Sequence, residues 1–395
     1  MLTAGMICEY NPLHLGHEYF LRRLRACGAT HIAVVMSGNF VQRGDAAILS
    51  KWARTRQALQ CGADLVVELP LPWAMAGAER FARGGVALLE ALGADVIAFG
   101  SECGNLERLR EASQALSSPQ LREAMHESLQ QGSTFAAARQ TAVEKLYGGE
   151  TAALLRGPNN ILGIEYLKAL GQTGSRMTPV TVKRRGSTHG AEETDGGYAS
   201  SGQIRSLLRK GQNVSSLMPP TAYTVLREEM AANRAPANPL YAERAILSRL
   251  RCMEQSEFAA LPDLSEGLEN RIRSAARQAA TLEELYRLAK TKRYPMARIR
   301  RIVLSAFLGL KADQVSGSPP YLRILGIGAR GPEILHRATA KLPIFSRASD
   351  RTRLNPYARE IADLESRATD LYALCLPKAA PCGLDQTEKV ITLPY

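Results

Sequence analysis

The sequence predicts an α/β fold, with a doubly wound parallel sheet first and a mostly α-helical part after it. Three features lead there. The segments CGATHIAVVM, CGADLVVELP and LGADVIAFG, starting at Cys27, Cys61 and Leu92, share one pattern: Gly-Ala, a polar residue, then an apolar run. Each follows a helical pattern, namely HEYFLRRLRAC, SKWARTRQALQC and ERFARGGVALLEAL. Their spacing of roughly thirty residues matches one strand-helix unit.

The individual elements follow from local chemistry. LTAGMIC near the start is short and apolar and reads as a strand. Glycine just past a helix end is the expected residue there. Short β-branched runs between helices read as buried parallel strands. Cys27 and Cys61, at two helix ends, read as small buried apolar residues. Right-handed crossovers then wind the units into one sheet. From Gly104 to Leu146 the pattern is helical and amphipathic. In RGPNNILGIEYLKAL, Asn159 or Asn160 is placed to cap a helix. TPVTVKRRG, from Thr178, reads as a strand ending in Lys183, Arg184 and Arg185. The Gly-rich GSTHGAEETDGGYA reads as a loop. ASSGQIRSLLRKG starts a helix with Ser200 or Ser201 as N-cap and Arg205 one turn in. AANRAPANP (231–239) is the best linker, which divides the chain into 1–230 and a helical 240–395.

Composition narrows the class. At 395 residues, two or three domains are expected at about 100–200 residues each. No uncharged apolar run reaches the roughly 18 residues that a membrane helix needs. The N-terminus reads as a strand, without a basic region or cleavage site, and so not as a signal peptide. Seven scattered cysteines form no C-x-x-C pair. Together these point to the cytoplasm. The formal charge is +12, and residues 271–310 hold ten Lys or Arg against Glu283 and Glu284. That excess suits a polyanionic partner; a solvated helix face is the alternative.

The stretch EYNPLHLGHEYFLRRL sets His14 and His17 around Gly16, where a strand gives way to a helix. The first N–H groups of a helix lack partners and carry partial positive charge, so phosphates bind there. Two imidazoles add donors on the same side, and Gly16 lets a ligand approach the backbone. H-x-x-H alone is a common accident; with the strand, the Asn-Pro turn and the helix it is far more specific. Ligands of such sheets bind beyond the carboxyl ends of the strands, here EYNPLHLGH, MSGNFVQRGD, ELPLPW and FGSE. Ser37, Gly38, Asn39, Gln42, Arg43 and Asp45 either line that crevice or form a plain loop. Lys51 and Trp52 begin a helix, with Trp52 in the core. LGIGARGPEIL reads as a turn before a helix starting at Pro332, because no acid lies at a dinucleotide-binding distance. His31, His126, His189 and His336 are isolated, with no zinc-ligand spacing and hence no metal site.

H-x-G-H in this setting, with S-S-x-x-I-R at Ser200–Arg205, resembles the HIGH-type nucleotidyltransferase superfamily, relatives of class I aminoacyl-tRNA synthetases. GMICEYNPLHLGH, MSGNFVQRGDAAILSKWAR, GADLVVELP, PNNILGIEYLKAL and TVKRRG, in that order, are similar to the bacterial tRNA(Met) cytidine acetate ligase family. The likeness is dense over residues 1–210 and thinner beyond. It implies a Rossmann-like nucleotidyltransferase domain. It also implies an activity: ATP and acetate give acetyl-adenylate, and the acetyl group passes to N4 of the wobble cytidine of elongator tRNA(Met). His14, His17 and Arg205 would be catalytic, with Mg2+ as a helper. Ile7, Cys8, Glu9, Tyr10, Asn11, Pro12, Leu13, His14, Leu15, Gly16, His17, Glu18, Tyr19 and Phe20 would contact ATP. So would Gly100, Asn159 or Asn160, Arg184 or Arg185, and Ser200 and Ser201. Leu15 stands where relatives often carry a polar residue.

Two other classes compete: a nucleotidyltransferase making a dinucleotide cofactor from a small phosphate ester, and a non-catalytic RNA-binding protein. The basic segment speaks against the first and the intact motif against the second. In LAKTKRYPMARIRRIV, Lys290, Lys292, Arg293, Arg298, Arg300 and Arg301 cluster around Pro295, which suits a helix start. Lys290, Lys292, Arg293, Arg298 and Arg301 are the expected tRNA contacts. Ile299, Val303 and Leu304 are expected to face the core.

Overall fold

The structure, a computed structural model, describes residues 1–130, 133–184, 197–265, 267–338 and 342–393. Its strands are β1 (Thr3–Cys8), β2 (His31–Ser37), β3 (Phe40–Val41), β4 (Asp45–Ala46), β5 (Leu65–Leu69), β6 (Val96–Ser101), β7 (Thr178–Lys183), β8 (Leu322–Ile327), β9 (Ile344–Phe345) and β10 (Ile391–Thr392). The three repeated segments supply β2, β5 and β6. Apolar runs bounded by helix-ending glycines leave few solvated positions, and every residue of β2 and β5 is buried. Each fully buried Val, Leu or Ile there is worth about 1.5–3 kcal/mol. The sheet runs β10-β8-β5-β2-β1-β6-β7, with β9 beside β8. β1, β2, β5, β6 and β7 are mutually parallel. The chain lays strands outward from β1 through β2 to β5, then returns to the other side of β1 with β6. That reversal is the switch point at which such sheets open a crevice.

Beyond residue 239 the chain is mostly helical as far as Val315, and then it comes back to the sheet. β8 adds antiparallel to β5, and β9 and β10 pair parallel with β8. LGIGARGPEIL supplies the end of β8 and the turn into the Gly331–Arg337 helix. The 231–239 segment is packed rather than loose: Ala237 N–H donates to Ile48 O, and Asn238 N–H to Cys375 O. A buried ion network ties the returning segment in place. Lys51 Nζ lies 2.8 Å from both Glu68 and Asp385, and Arg323 pairs with both carboxylates. Trp52 is buried beside it.

Two local expectations are corrected. Cys27 is exposed and Cys61 half-buried, because each sits at the C-cap of its helix, where the chain turns out to solvent. Neither asparagine caps the Pro158–Thr173 helix, whose N-cap is Gly157. The Glu102 carboxylate, from the loop after β6, caps it instead, accepting the N–H groups of Asn159 (3.1 Å) and Asn160 (2.7 Å). Among the described residues, no helix is long and apolar enough to cross a membrane.

Candidate active site

The crevice lies where β1 and β6 part. β1 ends in a sharp crossover, with Tyr10 at a left-handed φ of 46°, a costly conformation for an aromatic residue and one found mostly at functional sites. Tyr10 is held by burial and by donating its hydroxyl to Met6 Sδ. Asn11 Oδ1 accepts Ile48 N–H at 2.9 Å. His14 then caps the Leu15–Ala26 helix.

The two histidines cap that helix reciprocally. Gly16 N–H donates to His14 Nδ1 (3.1 Å), and His14 N–H donates to His17 Nδ1 (3.3 Å). With both Nδ1 atoms accepting, each neutral ring carries its proton on Nε2. His14 is 3 % exposed, and its Nε2 is a buried donor without a partner among the described residues. Such an unmet donor is costly unless something occupies it. Burial, with Arg184 and Arg205 adding, pushes His14 down to a pKa of about 3. Burial and His14 hold His17 well below the usual range. Both rings are therefore neutral donors, not cations.

Positive charge comes from the arginines. Arg205, one turn into the Ser201–Arg209 helix, donates to Asn11 O at 2.7 Å, and Ser201 Oγ to Pro12 O at 3.4 Å. Ser200 is the N-cap, in a capping box with Gln203. Arg184, just past β7, donates to Asn159 Oδ1 at 3.2 Å. Gly100, at the end of β6, leaves room for that side chain: a Cβ would lie 3.1 Å from Arg184 Cγ. Burial lowers the pKa of both arginines. Two helix starts, two imidazoles and two guanidiniums thus gather at one sheet end, which suits a polyphosphate.

Other expected residues are placed differently. Asn160 turns inward, its Oδ1 accepting Cys103 N–H and its Nδ2 donating to Leu154 O, so Asn159 is the asparagine beside Arg184. Leu13 and Phe20 belong to the core, and Glu18 pairs with Arg22 along the helix. Ile7, Cys8, Leu15 and Tyr19 are half-buried at the crossover. Arg185 lies outside the described residues, as does most of the Gly-rich loop after it.

Asn39 is structural: it accepts Lys51 N–H and donates to Thr369. Gln42 N–H reaches Glu9 Oε1 at 2.9 Å. Lys290, Lys292 and Arg293 are exposed beside the Met296–Leu308 helix, whose Ile299, Val303 and Leu304 are buried. Arg298 and Arg301 instead turn onto residues 263–265. The sequence did not single out Glu102, although FGSE ends a strand at the crevice, nor Arg54. The Arg54 guanidinium is fully buried and donates to Leu49, Glu9, Ser37 and Gly38 carbonyls, locking the ends of β1 and β2 together.

Comparison with known proteins agrees with this geometry. A family model described as HIGH Nucleotidyl Transferase matches residues 1–386. The tRNA(Met) cytidine acetate ligase of Acetivibrio thermocellus is 38% identical over 415 residues, covering 100% of both chains. That of Syntrophomonas wolfei is 39% identical, covering 96% of each. Crystal structures of Thermotoga maritima TmcAL superpose with TM-scores of 0.94 (apo) and 0.92 (bound with alpha-thio ATP), both at 32% identity and full coverage of both chains. Likeness from end to end in both sequence and fold, around an intact histidine crossover, makes this chain a member of the HIGH nucleotidyl transferase family, among its tRNA(Met) cytidine acetate ligases.

Proposed function

We propose that the protein is an ATP-dependent ligase that activates acetate and acetylates tRNA(Met). In the first step an acetate oxygen attacks the α-phosphorus of ATP. The P–O bond to pyrophosphate breaks with its electron pair, leaving acetyl-adenylate. In the second step N4 of the wobble cytidine of elongator tRNA(Met) attacks the acetyl carbon. AMP leaves, N4 loses a proton, and N4-acetylcytidine results.

The Nε2–H of buried His14, unpartnered among the described residues and at a helix start on the switch point, is the observation that carries this reading. In-line attack builds negative charge on the equatorial oxygens and on the leaving pyrophosphate, and preorganised donors are the main stabilisers of such charge. His14 and His17 supply neutral donors, the first buried and the second half-buried. Arg205 and the Ser201 helix start face the outer phosphates, and Gly100, Asn159 and Arg184 hold the nucleoside side. Magnesium would arrive on the ATP phosphates, since no cluster of three His, Cys, Asp or Glu able to hold an ion exists among the described residues. The exposed Lys290, Lys292 and Arg293 take tRNA phosphates. A cytoplasmic location fits substrates of this kind.

The test is incubation with ATP, labelled acetate and total tRNA. Label in tRNA that requires ATP supports the reading. ATP consumption driven by a small phosphate ester, with no label in tRNA, favours a cofactor-making nucleotidyltransferase.

A further inference from the structure

We propose that Arg301 is a positioning residue for the nucleotide crevice, acting through the β3–β4 hairpin, and not a tRNA contact. This rests on the ligase reading above. Arg301 Nε donates to Asp263 Oδ2 at 2.6 Å, and its Nη1 donates to Gln42 O at 3.2 Å. Gln42 N–H in turn donates to Glu9 Oε1 at 2.9 Å. Glu9 directly follows β1, faces Arg205 electrostatically, and is followed two residues later by Asn11, whose carbonyl Arg205 grips. Two consecutive hydrogen bonds therefore run from the basic helix through Gln42 to Glu9, where the crossover that carries the histidines begins.

The hairpin tip is seated tightly on that helix. Gly44, at φ 68°, lies so close that a Cβ would strike the backbone of Arg300 and Arg301. The Arg301 side chain is only 13% exposed, with its fork already divided between two partners, which leaves it poorly placed to grip a phosphate. Breaking the Gln42 bond frees the hairpin. Glu9 then loses the N–H that fixes its carboxylate against Arg205. The consequence falls on acetyl-adenylate formation, a step that needs no tRNA.

Arg301→Lys separates the two roles, because an ammonium keeps the charge but lacks the planar fork that serves two acceptors. Asp263→Asn does so from the other side: asparagine tolerates the left-handed backbone at this position (φ 61°), and the change removes a negative charge near the basic segment. Acetate-dependent ATP–pyrophosphate exchange without tRNA is measured for both variants and for wild type. Both should lose about tenfold in kcat, with KM for ATP within twofold. Wild-type exchange in Arg301→Lys together with unchanged exchange and tighter tRNA binding in Asp263→Asn would overturn the proposal and make Arg301 a plain cation. Amide hydrogen exchange of Gln42 reads the same relay without catalysis. It should quicken at least fivefold in both variants, and an unchanged rate overturns the proposal as well. If wild type shows no acetate-dependent exchange, the ligase reading fails, and the Gln42 rate still decides whether Arg301 holds the hairpin.

Discussion

The imidazoles of His14 and His17 face each other with ring centres 3.9 Å apart, each ring accepting a backbone N–H from the turn it caps. The same two side chains that start the helix therefore present its donors to the crevice. Two variants separate capping from catalysis. Asparagine is a good N-cap, so His14→Asn should fold with a melting temperature near that of wild type and still lose acetyl-adenylate formation. His17→Ala should do the same. Removal of one transition-state donor typically costs about 100–1000-fold. Pyrophosphate release within threefold of wild type in both variants rules out a catalytic role.

Acid stability follows from the same burial. A histidine whose folded pKa lies below its unfolded value near 6.5 resists the protons that the unfolded chain accepts. Its neutral form costs nothing above pH 6.5. Stability is lost as pH falls from there towards the folded value, about 3 for His14. Each such group steepens the loss by up to about 1.4 kcal/mol per pH unit. Denaturant titrations at pH 7 and pH 5 should show a smaller difference for His14→Asn than for wild type. An equal difference would mean that His14 titrates normally.

Asn159 and Asn160, adjacent in sequence, should part in function. Asn159→Ala removes the partner of Arg184 and should weaken ATP binding several-fold while leaving tRNA affinity unchanged. Asn160→Ala removes the amide that accepts from Cys103 N–H and donates to Leu154 O, and should lower stability by about 1–3 kcal/mol. Calorimetric ATP titration and urea unfolding of the two variants check this, and a reversed pattern refutes it.

Much of the site was readable from sequence because its signals are local. The strand, the Asn-Pro turn, the histidine cap and the Ser200 capping box each lie within a few residues of one another. What escaped depends on distant partners. Glu102 caps a helix that starts at Pro158, so the asparagines beside that start looked like caps. Arg298 and Arg301 read as part of a basic run, because nothing nearby in sequence reveals that residues 263–265 accept their hydrogen bonds. β8 is a short apolar run whose antiparallel place beside β5 is set by tertiary contacts. Lys51 gave no hint that its partner is Asp385, near the other end of the chain.

That partner makes the C-terminal return testable. Asp385 accepts Lys51, Arg323 and Arg351; burial pushes its carboxyl up, but Lys51 and Arg323 outweigh that and hold it below the usual range. Asp385→Ala leaves buried Lys51 and Arg323 to share Glu68 alone and should destabilise the protein by about 3–5 kcal/mol. Guanidinium unfolding measures it, and a loss below 1 kcal/mol would show that the network is slack.

Lys290, Lys292 and Arg293 carry the expected electrostatic grip on tRNA. Each cation taken away from a phosphate should lower the salt slope of binding by roughly 0.7–0.9. Changing all three to alanine should weaken tRNA binding and flatten its salt dependence. Unchanged affinity and slope would move the tRNA footprint elsewhere.

Nucleoside analysis of tRNA after reaction with ATP and deuterated acetate tests the central reading most directly. The expected result is deuterated N4-acetylcytidine in elongator tRNA(Met), at its wobble position, dependent on ATP and absent with His17→Ala. Deuterium in no nucleoside, while ATP is still cleaved to pyrophosphate, would contradict transfer of acetate to tRNA by this protein.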